Sequence, residues 1–183
     1  DRPYSEENNS LLDYYEGFRD YIENRQRNIF SEVRKRYSLS NGRFLDIGCG
    51  LGLSMSVADS LGWASLGIEP SPTLAQHCKS VGLNVIQDYL STNLLNENNE
   101  LNEGCFDYIL IDNVLEHVPN PKIFLQLTHR LLAEGGIIII AIPPIDWFRL
   151  LLVKFSFVRN KIKSSRVNLF YDLEEHVNYF GRN

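Results

Sequence analysis

Apolar positions along the chain change their period several times, and those changes divide it into elements. From Leu11 to Tyr37 the apolar residues Leu11, Tyr14, Tyr15, Phe18, Tyr21, Ile22, Ile29, Phe30 and Val33 recur at helical spacing. Arg25, Arg27, Arg34, Lys35 and Arg36 lie between them and suit a solvated side. Residues 1–10 are polar and read as a loose arm. After the turn Ser38–Gly42 the chain alternates short apolar runs with helical stretches. Arg43–Ile47 reads as the first strand, Leu53–Leu61 as a helix and Ala64–Glu69 as the second strand. Pro72–Ser80 follows as a helix, with Ser71 as N-cap and Pro72 at its first position. Asn84–Gln87 is a short third strand, and Ser91–Gly104 is expected to be a polar connection. Phe106–Ile111 is a continuous apolar run suited to a sheet buried on both faces. Pro121–Ala133 is an amphipathic helix that Gly135-Gly136 is expected to stop. Ile137–Ile142 is the fifth strand, five of its six residues isoleucine. Strands alternating with helices imply right-handed crossovers and a doubly wound, mostly parallel α/β sheet behind an N-terminal helix.

Composition narrows the class. With 183 residues and 44% hydrophobic content the chain can bury one real core, so a single domain is expected. Its parts read as an N-terminal arm and helix over 1–42, a core over 43–144 and a lid or substrate segment over 145–183. The net charge of −5 provides no basic field for a polyanion, which argues against nucleic acid as partner. Cys49, Cys78 and Cys105 show no C-x-x-C spacing. Three cysteines so placed suggest neither a disulfide framework nor a metal site, and a reduced, cytoplasmic setting fits them. The N-terminus shows no apolar signal region, and no run reaches the roughly 20 apolar residues of a membrane span.

Chemistry concentrates in Phe44-Leu45-Asp46-Ile47-Gly48-Cys49-Gly50-Leu51-Gly52. Glycines at alternate positions permit a tight turn and let backbone N–H groups approach a ligand closely. A glycine-rich loop between strand and helix is the nucleotide-binding element of open α/β sheets. A dinucleotide fingerprint would carry its third glycine where Leu53 stands. Asp46, an acid beside the loop, would repel phosphate but suits a ligand bearing an ammonium or sulfonium charge.

Four stretches in this order carry a resemblance: Leu45–Gly50, Gly67-Ile68-Glu69-Pro70-Ser71, Phe106-Asp107-Tyr108 with Leu115-Glu116-His117-Val118, and Leu131–Gly136. Over residues 43–180 the chain resembles the Rossmann-like, S-adenosylmethionine-dependent methyltransferases of small molecules, in particular the ubiquinone-biosynthesis O-methyltransferases. The resemblance implies S-adenosylmethionine as cofactor and S-adenosylhomocysteine as product. It places Gly48, Gly50 and Gly52 against the methionine part and Glu69 on the ribose, with Asp46, Cys49, Pro70 and Ser71 as further candidates of the cofactor site. It places Asp88 at the adenine amino group and Asp112-Asn113 at the methionine ammonium. It further implies transfer to a small-molecule acceptor, at oxygen, with His117 or His176 as candidate base. Each residue keeps a structural alternative: Glu69 as a solvated strand end, Asp88 as a turn cap, Asp46 as a partner of loop N–H groups, and both histidines as packing residues.

The family runs on into two further strands, one of them antiparallel, and this chain is expected to stop short of them. Arg25 or Arg27 is expected to reach the cofactor carboxylate if the first helix lies over the site. Trp147–Val158, apolar and followed by the basic Arg159–Arg166, is expected to cover an apolar acceptor, rest on a membrane or pair two subunits. Two other functions stay open: a nicotinamide-dependent oxidoreductase, and a methyltransferase-like module that binds without catalysis.

Overall fold

A computed structural model describes residues 16–142 together with the backbone of Val167–Tyr171 and His176–Gly181. The expectations for the arm at 1–10 and for Trp147–Val158 lie outside these residues.

Helix α1 is Arg19–Tyr37, and strand β1 is Gly42–Ile47. Then come α2 (Leu53–Ser60), β2 (Trp63–Ile68), α3 (Pro72–Ser80), β3 (Val85–Ile86) and α4 (Thr92–Glu97). Strand β4 is Phe106–Asp112, α5 is Pro121–Leu131 and β5 is Leu132–Ile142. Strands β6 (Val167–Tyr171) and β7 (His176–Gly181) complete a seven-stranded sheet in the order β3-β2-β1-β4-β5-β7-β6. The first five strands are parallel, and β7 runs antiparallel to both β5 and β6. The doubly wound α/β sheet is therefore as expected, but the expected loss of the last two strands is not. Both are present: Val167–Tyr171 pairs His176–Gly181, and that second strand pairs Ile137–Ile142, from Ile137 opposite Gly181 to Ile142 opposite His176.

The two faces of the sheet bury different helices. Phe44, Tyr108, Leu110, Ile137 and Ile139 pack with residues of α1, α2 and α3. Leu45, Ile47, Ile109, Ile111, Ile138 and Ile140 alternate to the opposite face, under α4 and α5. Period-2 alternation thus places apolar residues on both faces, and the strands read as continuous apolar runs. Beside these runs, Asp46 and Asp112 fall on the α1 face.

Helix α1 runs antiparallel to the strands. Its middle is anchored by Phe30, whose ring lies 5.3 Å from that of Phe44, 5.1 Å from Tyr108 and 5.6 Å from Trp63. Val33, one turn on, is equally buried. A helix that reads as an N-terminal extension is therefore part of the core.

Two local readings are corrected. Residues 91–104 contain a helix, α4, because Ser91 caps it by accepting from Leu94 N–H (3.1 Å) and Leu94 and Leu101 bury themselves under the sheet. Gly135-Gly136 does not stop α5, which ends at Leu131. The pair lies inside β5, where the register with β4 jumps from Phe106–Leu132 to Tyr108–Ile137. Gly135 takes φ +76° there, and a side chain on Gly136 would meet the carbonyl oxygens of Ala133 and Asp107, each 3.0 Å from its Cβ. The glycines accommodate a bulge.

Because Phe30 fills a fully enclosed aromatic cluster, Phe30→Ala is expected to destabilise the domain by about 3–5 kcal/mol. Urea unfolding followed by circular dichroism measures this, and a shift below about 1 kcal/mol would mean α1 is not a core helix.

Candidate active site

The order in which strands are added to the sheet reverses between β1 and β4. The chain winds outward from β1 to β3 on one face and returns through α4 on the other, which opens a crevice at the carboxyl ends of the central strands. The glycine loop sits there. Gly48, Gly50 and Gly52 have φ of +79°, +55° and +71°, backbone that L side chains rarely adopt. A Cβ on Gly48 would run into Val114, and one on Gly52 into Leu83 and, at 3.2 Å, the Cys78 sulfur. Conformation requires all three glycines, and space requires Gly48 and Gly52 as well.

Glu69 holds this loop in place. At the end of β2 and 5% exposed, it accepts from Gly50 N–H through Oε2 (2.9 Å) and from Ser71 N–H through Oε1 (2.8 Å). One carboxylate thereby ties the glycine loop to the start of α3, whose N-cap is Ser71. It is not the solvated strand end of the alternative reading. A carboxylate offers about four acceptor sites, so two N–H bonds leave capacity for hydroxyl groups. Burial raises the Glu69 pKa, and the Ser71 and Gly50 N–H groups oppose that rise.

Asp46 is 3% exposed and lies at the end of β1. Burial first, then the charges of Asp112 and Glu69, push its pKa well above the ordinary value, while a hydrogen bond from Ser54 of α2 pulls the other way. Asp112, at the end of β4, accepts from Arg25 Nη1 (2.5 Å) and through Oδ1 from Asn113 Nδ2 (3.1 Å). Asn113 itself adopts φ +53°, held by its N–H bond to Ala141 O (2.9 Å). Three carboxylates from three adjacent strands converge, and α1 brings a guanidinium to one of them. Arg27 points elsewhere, reaching the Ser60 hydroxyl at 3.5 Å on an exposed face.

The remaining candidates spread outward. Cys49 turns its thiol into the core, where it shares a hydrogen bond with Cys78, while Cys78 also donates to Gly50 O (3.2 Å). Cys49 thus presents backbone rather than side chain to the crevice. Pro70 is half-buried beside Glu69. Asp88 is exposed past the tip of β3, where its Oδ1 accepts from Tyr89 N–H (2.7 Å). His117 ends a short 3-10 turn, Leu115–His117, and its side chain is 79% exposed, 3.9 Å from Glu116. His176 opens β7 opposite Ile142, so its backbone lies at the carboxyl edge. Among the described residues no three His, Cys, Asp or Glu side chains group as metal ligands, and no helix is long and apolar enough to cross a membrane.

One residue escaped the sequence reading. Gln26 of α1 is fully buried, and neither its amide nitrogen nor its oxygen has a hydrogen-bond partner among the described residues. The signal was in the spacing: Gln26 stands in the apolar stripe between Ile22 and Phe30, where a polar residue breaks the period.

A family model described as a methyltransferase domain matches residues 21–183. The curated ubiquinone biosynthesis O-methyltransferase of Rattus norvegicus mitochondria is 35% identical over 103 residues, covering 54% of this chain and 30% of that protein. The chain thus spans under a third of that relative's length. In fold it resembles the plantazolicin methyltransferase BpumL in complex with SAH, with a TM-score of 0.67 at 14% identity over 100% of this chain and 91% of that one. It likewise resembles a SAM-dependent methyltransferase from Aquifex aeolicus, with a TM-score of 0.56 at 15% identity over 88% and 98% of the two chains.

The raised Asp46 pKa carries a sign that can be measured. A carboxyl whose folded pKa exceeds its unfolded one binds a proton more tightly when folded, so stability falls as pH rises from near 3.8 toward the folded value. Asp46→Asn removes that loss. Its urea midpoint is expected to exceed that of the wild type at pH 7, with the advantage shrinking toward pH 4. A constant difference across that range would show that the fold does not raise the Asp46 pKa.

Proposed function

Since the chain belongs to the methyltransferase-domain family, we propose that it moves the sulfonium methyl of S-adenosylmethionine to a small-molecule acceptor, at oxygen. The observation that carries this reading is the convergence of Asp46, Glu69 and Asp112 around a glycine loop that tolerates no side chain at Gly48 or Gly52. Buried carboxylates favour a cationic ligand and oppose a pyrophosphate, which argues against a nicotinamide cofactor. The ubiquinone O-methyltransferase relatives support oxygen as the acceptor atom.

The residues present fit S-adenosylmethionine. Glu69 holds the ribose hydroxyls with the acceptor capacity that its two N–H bonds leave free. Asp88, exposed beyond β3, takes the adenine amino group. Asp46 and the Asp112-Asn113 corner face the ammonium, and Arg25, already bound to Asp112, lies where an α-carboxylate can share its guanidinium. Gly48, Gly50 and Gly52 bring backbone close to the ligand, with Cys49, Pro70 and Ser71 shaping the same wall. When bound, the cofactor supplies a methyl group bonded to a positively charged sulfur. The protein's work is to hold that carbon in line with the acceptor and to exclude water. His117 is assigned to take the acceptor proton and pass it to solvent, which its exposed imidazole allows, with His176 at the same edge as the other candidate.

Glu69→Ala is expected to weaken S-adenosylmethionine and S-adenosylhomocysteine by roughly 1.5–3 kcal/mol, the scale of hydrogen bonds to a charged group. Isothermal calorimetry reads this directly, and unchanged affinity sinks the ribose assignment. Transfer of a labelled methyl group to hydroxylated small molecules tests the reaction. Cofactor binding with no transfer to any hydroxylated acceptor in a metabolite extract would instead favour a non-catalytic module.

A further inference from the structure

Gln26 is placed by its neighbours. On one side of it along α1, Ile22 packs on Leu51, Leu53 and Leu74, the apolar wall of the glycine loop. On the other side Phe30 packs on Phe44 and Tyr108. Stepping from Phe30 to Gln26 moves about 6 Å along the helix, at roughly 1.5 Å per residue. Stepping from Phe44 to Asp46 moves about 6.6 Å along β1, at roughly 3.3 Å per residue. Because α1 runs antiparallel to the strands, both steps head toward the carboxyl edge, and Gln26 arrives level with Asp46. Its predecessor Arg25 is fixed on Asp112 of the neighbouring strand at 2.5 Å. Gln26 therefore stands on the length of α1 whose neighbours Ile22 and Arg25 meet the glycine-loop wall and the acid at the end of β4.

A buried carboxamide without partners is disfavoured, and an apolar residue would complete the stripe at lower cost. A carboxamide also has a chemical match at this place. Its NH2 donates and its carbonyl accepts, which is the complement of an α-amino acid zwitterion. We propose that Gln26 is a cofactor-binding residue whose carboxamide holds the amino-acid end of S-adenosylmethionine, donating to the α-carboxylate and accepting from the α-ammonium. This rests on the reading of the site as an S-adenosylmethionine site. It gives α1 a second contact beside Arg25, directed at the part of the ligand that is common to cofactor and product.

The test separates the amino-acid end from the rest of the ligand. Gln26→Leu and Gln26→Met keep the side-chain volume and remove the amide. Binding is measured by calorimetry with S-adenosylhomocysteine and with 5′-methylthioadenosine, which lacks the amino-acid part. Both variants are expected to melt at or above the wild-type temperature without ligand. They are expected to bind S-adenosylhomocysteine on the order of 10-fold more weakly and methylthioadenosine as the wild type does. Wild-type affinity for S-adenosylhomocysteine in either folded variant overturns the proposal. So does an equal loss for both ligands, which would make Gln26 a structural residue only. If the wild-type protein binds neither ligand, the reading of the site itself falls, an outcome distinct from a variant that binds unchanged.

Discussion

Negative charge at the carboxyl ends of three neighbouring strands is the constraint around which this molecule is arranged. Asp46 lies near both Glu69 and Asp112, and each is restrained differently: Glu69 by two backbone N–H groups, Asp112 by Arg25 and Asn113, and Asp46 by the Ser54 hydroxyl. The apolar sheet behind them removes the water that would otherwise screen the cluster. Much of the loop architecture follows from this. Gly50 must present its N–H to Glu69, so it is held in a left-handed conformation, and α3 must begin where Ser71 can reach the same carboxylate.

How much of this was legible in the sequence depended on whether the information was local. Helix α3 over Pro72–Ser80 was readable to the residue, since its cap and first-turn proline are adjacent in sequence. The first, fourth and fifth strands were readable as apolar runs because both of their faces are buried. Helix α4 was not readable: its six residues carry four polar side chains, and what makes it a helix is Leu94 meeting a sheet contributed by distant residues. The same holds for Gly135-Gly136, a helix stop by local rule and a strand bulge by tertiary pairing. Strands β6 and β7 escaped because Ile137–Ile142, on which β7 pairs, is already satisfied as a parallel strand and gives no sign of an open second edge, and among the described residues β6 pairs only β7.

In the site, residue types and order named Asp46, Glu69 and the glycines, but not what each does for the others. That Glu69 ties the loop to α3 is a fact of geometry nineteen residues apart in sequence. Arg25 was visible as a basic residue on a helix ahead of the first strand, and only the fold selects it over Arg27. The Cys49 thiol, one residue from two glycines of the loop, turns away from the crevice because alternate residues of that turn face the core.

Helix α1 performs two tasks with different halves. Phe30 and Val33 lock its C-terminal half into the sheet, whereas its N-terminal half meets the crevice through contacts that include the Arg25–Asp112 ion pair and the packing of Ile22 on Leu51, Leu53 and Leu74. The helix cannot swing away as a rigid body without dismantling the aromatic cluster. Any movement of α1 beside the crevice is therefore confined to the turns before Phe30. Amide hydrogen exchange along this one helix would then record two events. Slow exchange after Phe30 would follow global unfolding, and faster exchange before Arg25 would report local opening of the first turns.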